Sequence, residues 1–129
     1  MANKGGYIKS MRKLGLYYND IGDNENMIKY YLMAIEKGDT KSMNLLAKYY
    51  SNIYLYGNMI KYYLMAVERG NVNAMRNLSI FYYKECGDYD NMIKYGLMAI
   101  EKGDTSLAYL IGKYYDNTRD YDNMFKYYL

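Results

Sequence analysis

The chain contains no histidine, no proline and no tryptophan, and a single cysteine. Histidine is the one side chain whose ordinary pKa lets it change charge near neutral pH, so the commonest general base and zinc-binding imidazole are both missing. That weighs against most hydrolase and metal-centre chemistries. Cys86 alone cannot form an internal disulfide, and in the turn KECGDYD no histidine stands by to activate it; it reads as a loop residue. There is no glycine-rich phosphate loop and no nucleophile paired with a base. The expectation is therefore no enzyme, no catalytic or metal-binding residue and no cofactor. The N-terminus lacks the charged head and apolar run of a secretory signal, and no stretch approaches the roughly 18 consecutive apolar residues of a membrane span. An intracellular, cytoplasmic setting away from any membrane is expected. With Lys and Arg interspersed among Asp and Glu, the net charge of +3 is a weak footprint for nucleic acid.

What the chain does have is tyrosine, 21 of them, and 11 methionines. Half of its 129 residues are hydrophobic and 24% are charged, a globular composition of single-domain length. Its dominant feature is an internal repeat. NMIKYYLMAIEKGD at 26–39 returns as NMIKYYLMAVERGN at 58–71 and NMIKYGLMAIEKGD at 91–104, and begins again as NMFKYYL at 123. Repeats thus start at Asn26, Asn58, Asn91 and Asn123, spaced by 32, 33 and 32 residues. Between these copies lies a looser motif: SMRKLGLYY at 10–18, SMNLLAKYY at 42–50, AMRNLSIFYY at 74–83 and LAYLIGKYY at 107–115.

Both motifs carry the apolar spacing of a helix. In the first, helix A, Met27, Tyr30, Tyr31, Ala34 and Ile35 form one broad face, and in helix B Met43, Leu46 and Tyr50 do the same. Gly15, Ala47, Ser79 and Gly112 occupy one equivalent, always small position in helix B, where a neighbouring helix can come close. Gly38, Gly70 and Gly103 follow the charged end of helix A, as left-handed caps do. Asp39, Asn71 and Asp104 come next and are expected to N-cap helix B. The segments GDNEN, GDYDN and RDYDN supply acidic caps for the following helix A. A calcium loop starting at Asp88 is excluded, since its sixth and twelfth positions hold Ile93 and Ala99 in place of glycine and glutamate.

The pair Tyr30 and Tyr31, the ending Ala34, Ile35, Gly38, and the helix B set Ser42, Leu46, Ala47, Tyr50 resemble the Sel1-like repeats of the tetratricopeptide-like superfamily. The resemblance covers nearly the whole chain. Its units, at 32–33 residues, are shorter than the family's, and the loop between repeats is trimmed to segments such as SNIYLYG. The resemblance implies an all-α fold, a right-handed α-solenoid of about four antiparallel helix pairs with the A helices on the concave side. It also implies a non-catalytic scaffold that holds peptides or proteins. The abundance of Lys, Asn, Tyr and Ile resembles repeat proteins of AT-rich genomes, giant viruses of amoebae among them.

Subtracting core positions from helix A leaves a lysine and a methionine in each repeat: Lys29 and Met33, Lys61 and Met65, Lys94 and Met98, with Lys126 beginning a fourth copy. A basic row flanked by adaptable thioethers suits an acidic or amphipathic partner segment. The competing account has the lysines solvate a face and the methionines pack. A stripe of Ile28, Leu32 and Ile35 and its equivalents is assigned to contact between successive repeats. Residues 1–11 laid after Leu129 continue the repeat in register, so the chain reads as four periods beginning and ending within a helix A. One expectation from this is head-to-tail self-association, as a homo-oligomer or filament, through Met1, Ala2, Met11, Met124, Tyr127, Tyr128 and Leu129; the other is a piece of a longer array. A helical-repeat RNA-binding module is the alternative function, disfavoured because a base code needs variety that Asn26, Asn58, Asn91 and Asn123 lack.

Overall fold

The computed structural model describes residues 3–128, which are all-helical and without strands. The helices are α1 (Lys4–Asp20), α2 (Asn24–Glu36), α3 (Thr40–Asn52), α4 (Tyr56–Glu68), α5 (Val72–Phe81), α6 (Tyr89–Glu101), α7 (Ala108–Asn117) and α8 (Tyr121–Tyr128), with a π turn at Tyr82–Cys86 after α5. They fall into two compact units, Met1–Arg69 and Gly70–Leu129. In the first, α1 packs on α2, α2 on α3 and α3 on α4; in the second, α5 packs on α6, α6 on α7 and α7 on α8.

The turns follow from single residues. After helix A, Gly38, Gly70 and Gly103 adopt φ of 92°, 79° and 98°, which only a residue without Cβ accepts cheaply. The amides of Asp39 and Asp104 then bond back to Ala34 and Ala99 oxygens at 3.1 and 2.9 Å, closing the last turn of α2 and α6. After helix B the left-handed position belongs to Gly22 and Gly87, but also to Tyr54 and Arg119, at φ 63° and 61°. The carboxylates of Asp23, Asp88 and Asp120 each accept the backbone N–H and the side-chain amide of the asparagine three residues on, Asn26, Asn91 and Asn123. At α4 the place of the aspartate is taken by Leu55, and no side chain caps the helix.

The one 33-residue spacing has a local cause. In the other turns after helix B, the amides of Asp23, Leu55 and Asp120 bond the oxygen five residues earlier, on Tyr18, Tyr50 and Tyr115. Asp88 bonds Tyr82, six residues earlier, at 2.9 Å. The inserted residue is held as a π turn, which widens the helix locally and leaves the turn that follows it intact.

Asp39 and Asn71 cap α3 and α5 as expected, accepting from the amides of Ser42 and Ala74. Asp104 departs from that pattern: its carboxylate accepts the Ser106 amide at 3.0 Å, and α7 starts only at Ala108. Leu107 stands where α3 has Ser42 and α5 has Ala74, both at 0% exposure. A leucine cannot lie in a slot that small, so the backbone opens into a turn before the helix begins.

The core is the expected face. Met27, Tyr31, Ala34 and Ile35 of α2 are buried, as are Met43, Leu46 and Ala47 of α3, while Tyr30 is half-buried. Gly15, Ala47, Ser79 and Gly112, the small positions, are all buried. In α1 and α7 the partner is a tyrosine ring: a Cβ at Gly15 would overlap Tyr31, and one at Gly112 would lie 2.5 Å from Tyr128 Cδ1. In the α5–α6 pair both members change. The small residue is Ser79, which donates to the Met92 oxygen at 2.6 Å, Gly96 replaces the tyrosine, and Ile111 of α7 closes over it. Along the Ile28 stripe Ile35 is buried, Ile28 half-buried and Leu32 39% exposed.

Candidate functional site

The helix A lysines sit in one repeated assembly. Lys29, Lys61, Lys94 and Lys126 are exposed, and their ammonium nitrogens lie 5.3, 5.2, 5.2 and 5.4 Å from the ring centres of Tyr30, Tyr62, Tyr95 and Tyr127. Each of those rings stacks on a helix B tyrosine: Tyr18, Tyr50, Tyr82 and Tyr115, at 5.5, 5.8, 5.9 and 5.8 Å. The stacking follows from the two spacings, since the helix B tyrosine stands one turn before the cap and the helix A tyrosine two turns after it. Burial is the main reason the phenols of Tyr50, Tyr82 and Tyr115 titrate above their ordinary value, with the stacked tyrosine adding to it. A solvent-exposed cation over such a ring contributes about 0.5–1 kcal/mol. That biases each exposed lysine toward its tyrosine.

Met33, Met65 and Met98 are half-buried, one turn along the same helices. Of the residues expected at an end-to-end contact, Met1, Ala2 and Leu129 lie outside the described residues. Met11, Met124 and Tyr127 are half-buried, and Tyr128 covers Gly112 and meets Tyr109 at 5.6 Å. The first helix runs unbroken from Lys4, so Gly5 and Gly6 lie inside it, whereas Gly38 ends its helix in a left-handed residue.

A second surface belongs to helix B. In α3, Leu45, Lys48, Tyr49 and Asn52 follow i, i+3, i+4, i+7 and line a cleft of about 290 Å³, closed by Asn19 of α1 and by Met27 and Tyr31 of α2. In α7, Leu110, Lys113, Tyr114 and Asn117 have the same spacing and line a cleft of about 360 Å³. Its far wall is Tyr83 and Tyr89, with Thr118 at the edge. Tyr89 stacks on Tyr114 at 5.3 Å and meets Tyr83, which the π turn carries, at 6.2 Å. The Tyr31 hydroxyl is buried without a hydrogen-bond partner; desolvation, and then the charge of Asp20, push its pKa up. The signal for these clefts is legible as L-x-x-K-Y-x-x-N at 45–52 and 110–117, but a search for core positions passes over it.

Two ion pairs tie helix B to the cap of the next helix B. Arg12 meets Asp39 at 2.8 Å, and Arg76 meets Asp104 at 2.5 Å. In α3 the residue at the arginine's place is Asn44, and the cap of α5 is Asn71, so both charges are absent together. Hydrogen bonds from Ser106, reinforced by Arg76, hold the Asp104 carboxyl down at about 2. Among the described residues no three His, Cys, Asp or Glu side chains gather where they could hold a metal ion, and no helix is long and apolar enough to cross a membrane. Cys86 is exposed. A scan against protein-family models finds no match to this chain, and a search of curated proteins finds none.

Proposed function

We propose that this chain is a non-catalytic protein-interaction scaffold: a right-handed α-solenoid of about four helix-pair repeats, 32–33 residues each, similar to Sel1-like proteins. It takes an acidic or amphipathic segment of a partner along its helix A face. Sequential packing of helix pairs supports the architecture, because a pair of short amphipathic helices buries its apolar faces only against neighbours. The observation that carries the function is the lysine set Lys29, Lys61, Lys94 and Lys126, each held over a stacked tyrosine with its ammonium exposed. Cations biased toward one position lose less freedom on meeting a carboxylate than free lysines do, and pre-organisation of that kind raises affinity.

The test compares the intact chain with a variant carrying Lys29→Glu, Lys61→Glu and Lys94→Glu, both exposed to an extract of the cells in which the chain occurs. Mass spectrometry identifies the proteins retained. The intact chain retains acidic proteins that the variant loses, and they elute with rising salt. Identical sets on both, or retention of nucleic acid alone, overturns the reading.

A further inference from the structure

The geometry points to the two helix B clefts as sockets for an acidic peptide segment bearing an aromatic side chain. The ring enters over Leu45 and Tyr49, or Leu110 and Tyr114, and the carboxylate meets Lys48 or Lys113. This inference takes its partner class from the scaffold reading, but uses none of the helix A lysines.

Three observations carry it. Each cleft has one formal charge in its lining, Lys48 or Lys113, and no carboxylate. Both lysines are exposed, and among the described residues the lysines that stand over aromatic rings are those of helix A. An anion therefore finds a cation at the rim of each cleft, beside the leucine and tyrosine of the same helix. The same four residue types at the same spacing build a cleft in each unit, against different far walls: Met27 and Tyr31 in one, Tyr83 and Tyr89 in the other. The recurrence thus follows the helix B residues and not what happens to pack opposite.

The third observation is the Tyr31 hydroxyl, on a side chain 1% exposed and lining the first cleft, with no hydrogen-bond partner. A buried hydroxyl without a partner is costly, and a peptide carbonyl or amide entering the cleft would supply one. Asn52 and Asn117, each offering a donor and an acceptor, suit the backbone of the same segment. The volumes match one large side chain and its adjoining peptide units, not a folded domain.

The experiment uses the full chain labelled with ¹⁵N and follows its amide resonances. The probes are a blocked tripeptide Asp-Phe-Asp, its Asn-Phe-Asn, Lys-Phe-Lys and Asp-Ala-Asp counterparts, and a hexauridylate. Asp-Phe-Asp is expected to shift amides in 45–52 and 110–117, with the asparagine and alanine counterparts about fivefold weaker and the lysine counterpart silent. Lys48→Gln weakens the first cleft about fivefold and leaves the second unchanged, and Lys113→Gln does the reverse. Lys29→Gln with Lys61→Gln leaves both unchanged, so that failure of the helix A reading and failure of this one are distinguishable. Equal binding of the lysine counterpart, shifts confined to helix A, tighter binding of hexauridylate, or no shift at all overturns the proposal.

Discussion

Gly15 of α1 lies flat against the ring of Tyr31 in α2, so closely that the ring occupies the space a Cβ would need. The glycine weakens its own helix by about 1 kcal/mol relative to alanine, and the close helix pair is what offsets that. Gly15→Ala should therefore lower stability, by about 1–3 kcal/mol from overpacking, although alanine is the better helix former. Gly57, with nothing within 4 Å of its added Cβ, is the control. Gly57→Ala should hold or raise the midpoint of urea unfolding, and a fall at both positions would show that packing against Tyr31 is not the cause.

The turn before α4 combines two irregularities. It holds Tyr54 in the left-handed region and Leu55 at an N-cap without a side-chain bond. Leu55→Asp restores the aspartate of its three counterparts and should stabilise by about 0.5–2 kcal/mol. Tyr54→Gly removes a conformation that costs an L-residue about 1–2 kcal/mol, less the edge contact that Tyr54 makes with Tyr56. Urea midpoints of the single and double variants measure both.

Removing the hydroxyl of Tyr31 tests whether it is truly unpartnered. Tyr31→Phe keeps the ring over Gly15 and deletes a buried polar atom. The unfolding midpoint should hold or rise, whereas loss of a satisfied hydroxyl would lower stability by about 1 kcal/mol. Differential scanning calorimetry decides between them.

Acid should loosen the second unit through Asp104. Its carboxyl titrates at about 2 in the folded chain against an ordinary 3.8. A folded value below the unfolded one means stability that is fully present above the unfolded pKa and declines as pH falls from about 4 toward 2. Asp104→Asn should flatten that limb of the curve, seen as a smaller drop in Tm between pH 4 and pH 2. Arg76→Gln should flatten it only partly, because the Ser106 hydrogen bonds remain.

Deleting Lys84, an exposed residue of the π turn, should leave the helical circular dichroism intact and the unfolding midpoint unchanged or higher. The deletion returns the spacing of Asn58 and Asn91 to that of the other repeats. Deleting Ala47 from the middle of α3 would instead rotate everything after it by about 100° relative to its packing face and unfold the first unit.

Much of this was legible in the residues themselves. The helix A and helix B faces, the left-handed glycines and the aspartate caps follow from local chemistry, and each lies within a few residues of its cause. The irregular 33-residue spacing was legible as an insertion, but not as a π turn, because the alternatives to it differ only in how the following helix docks. The helix A lysines were legible as a row. That each stands over a stacked pair of tyrosines was not, since the pair joins residues from two helices.

Periodicity alone determined that this chain is helical and which stripe most helices bury, because those choices are settled by backbone sterics and by water within one or two turns of chain. Tertiary structure decided the rest. It set Tyr31 against Gly15, delayed α7 behind Leu107, and turned L-x-x-K-Y-x-x-N from four surface residues into the wall of a cleft. Each of these depends on the shape of a second helix, and a side chain has no knowledge of that shape until the two surfaces meet.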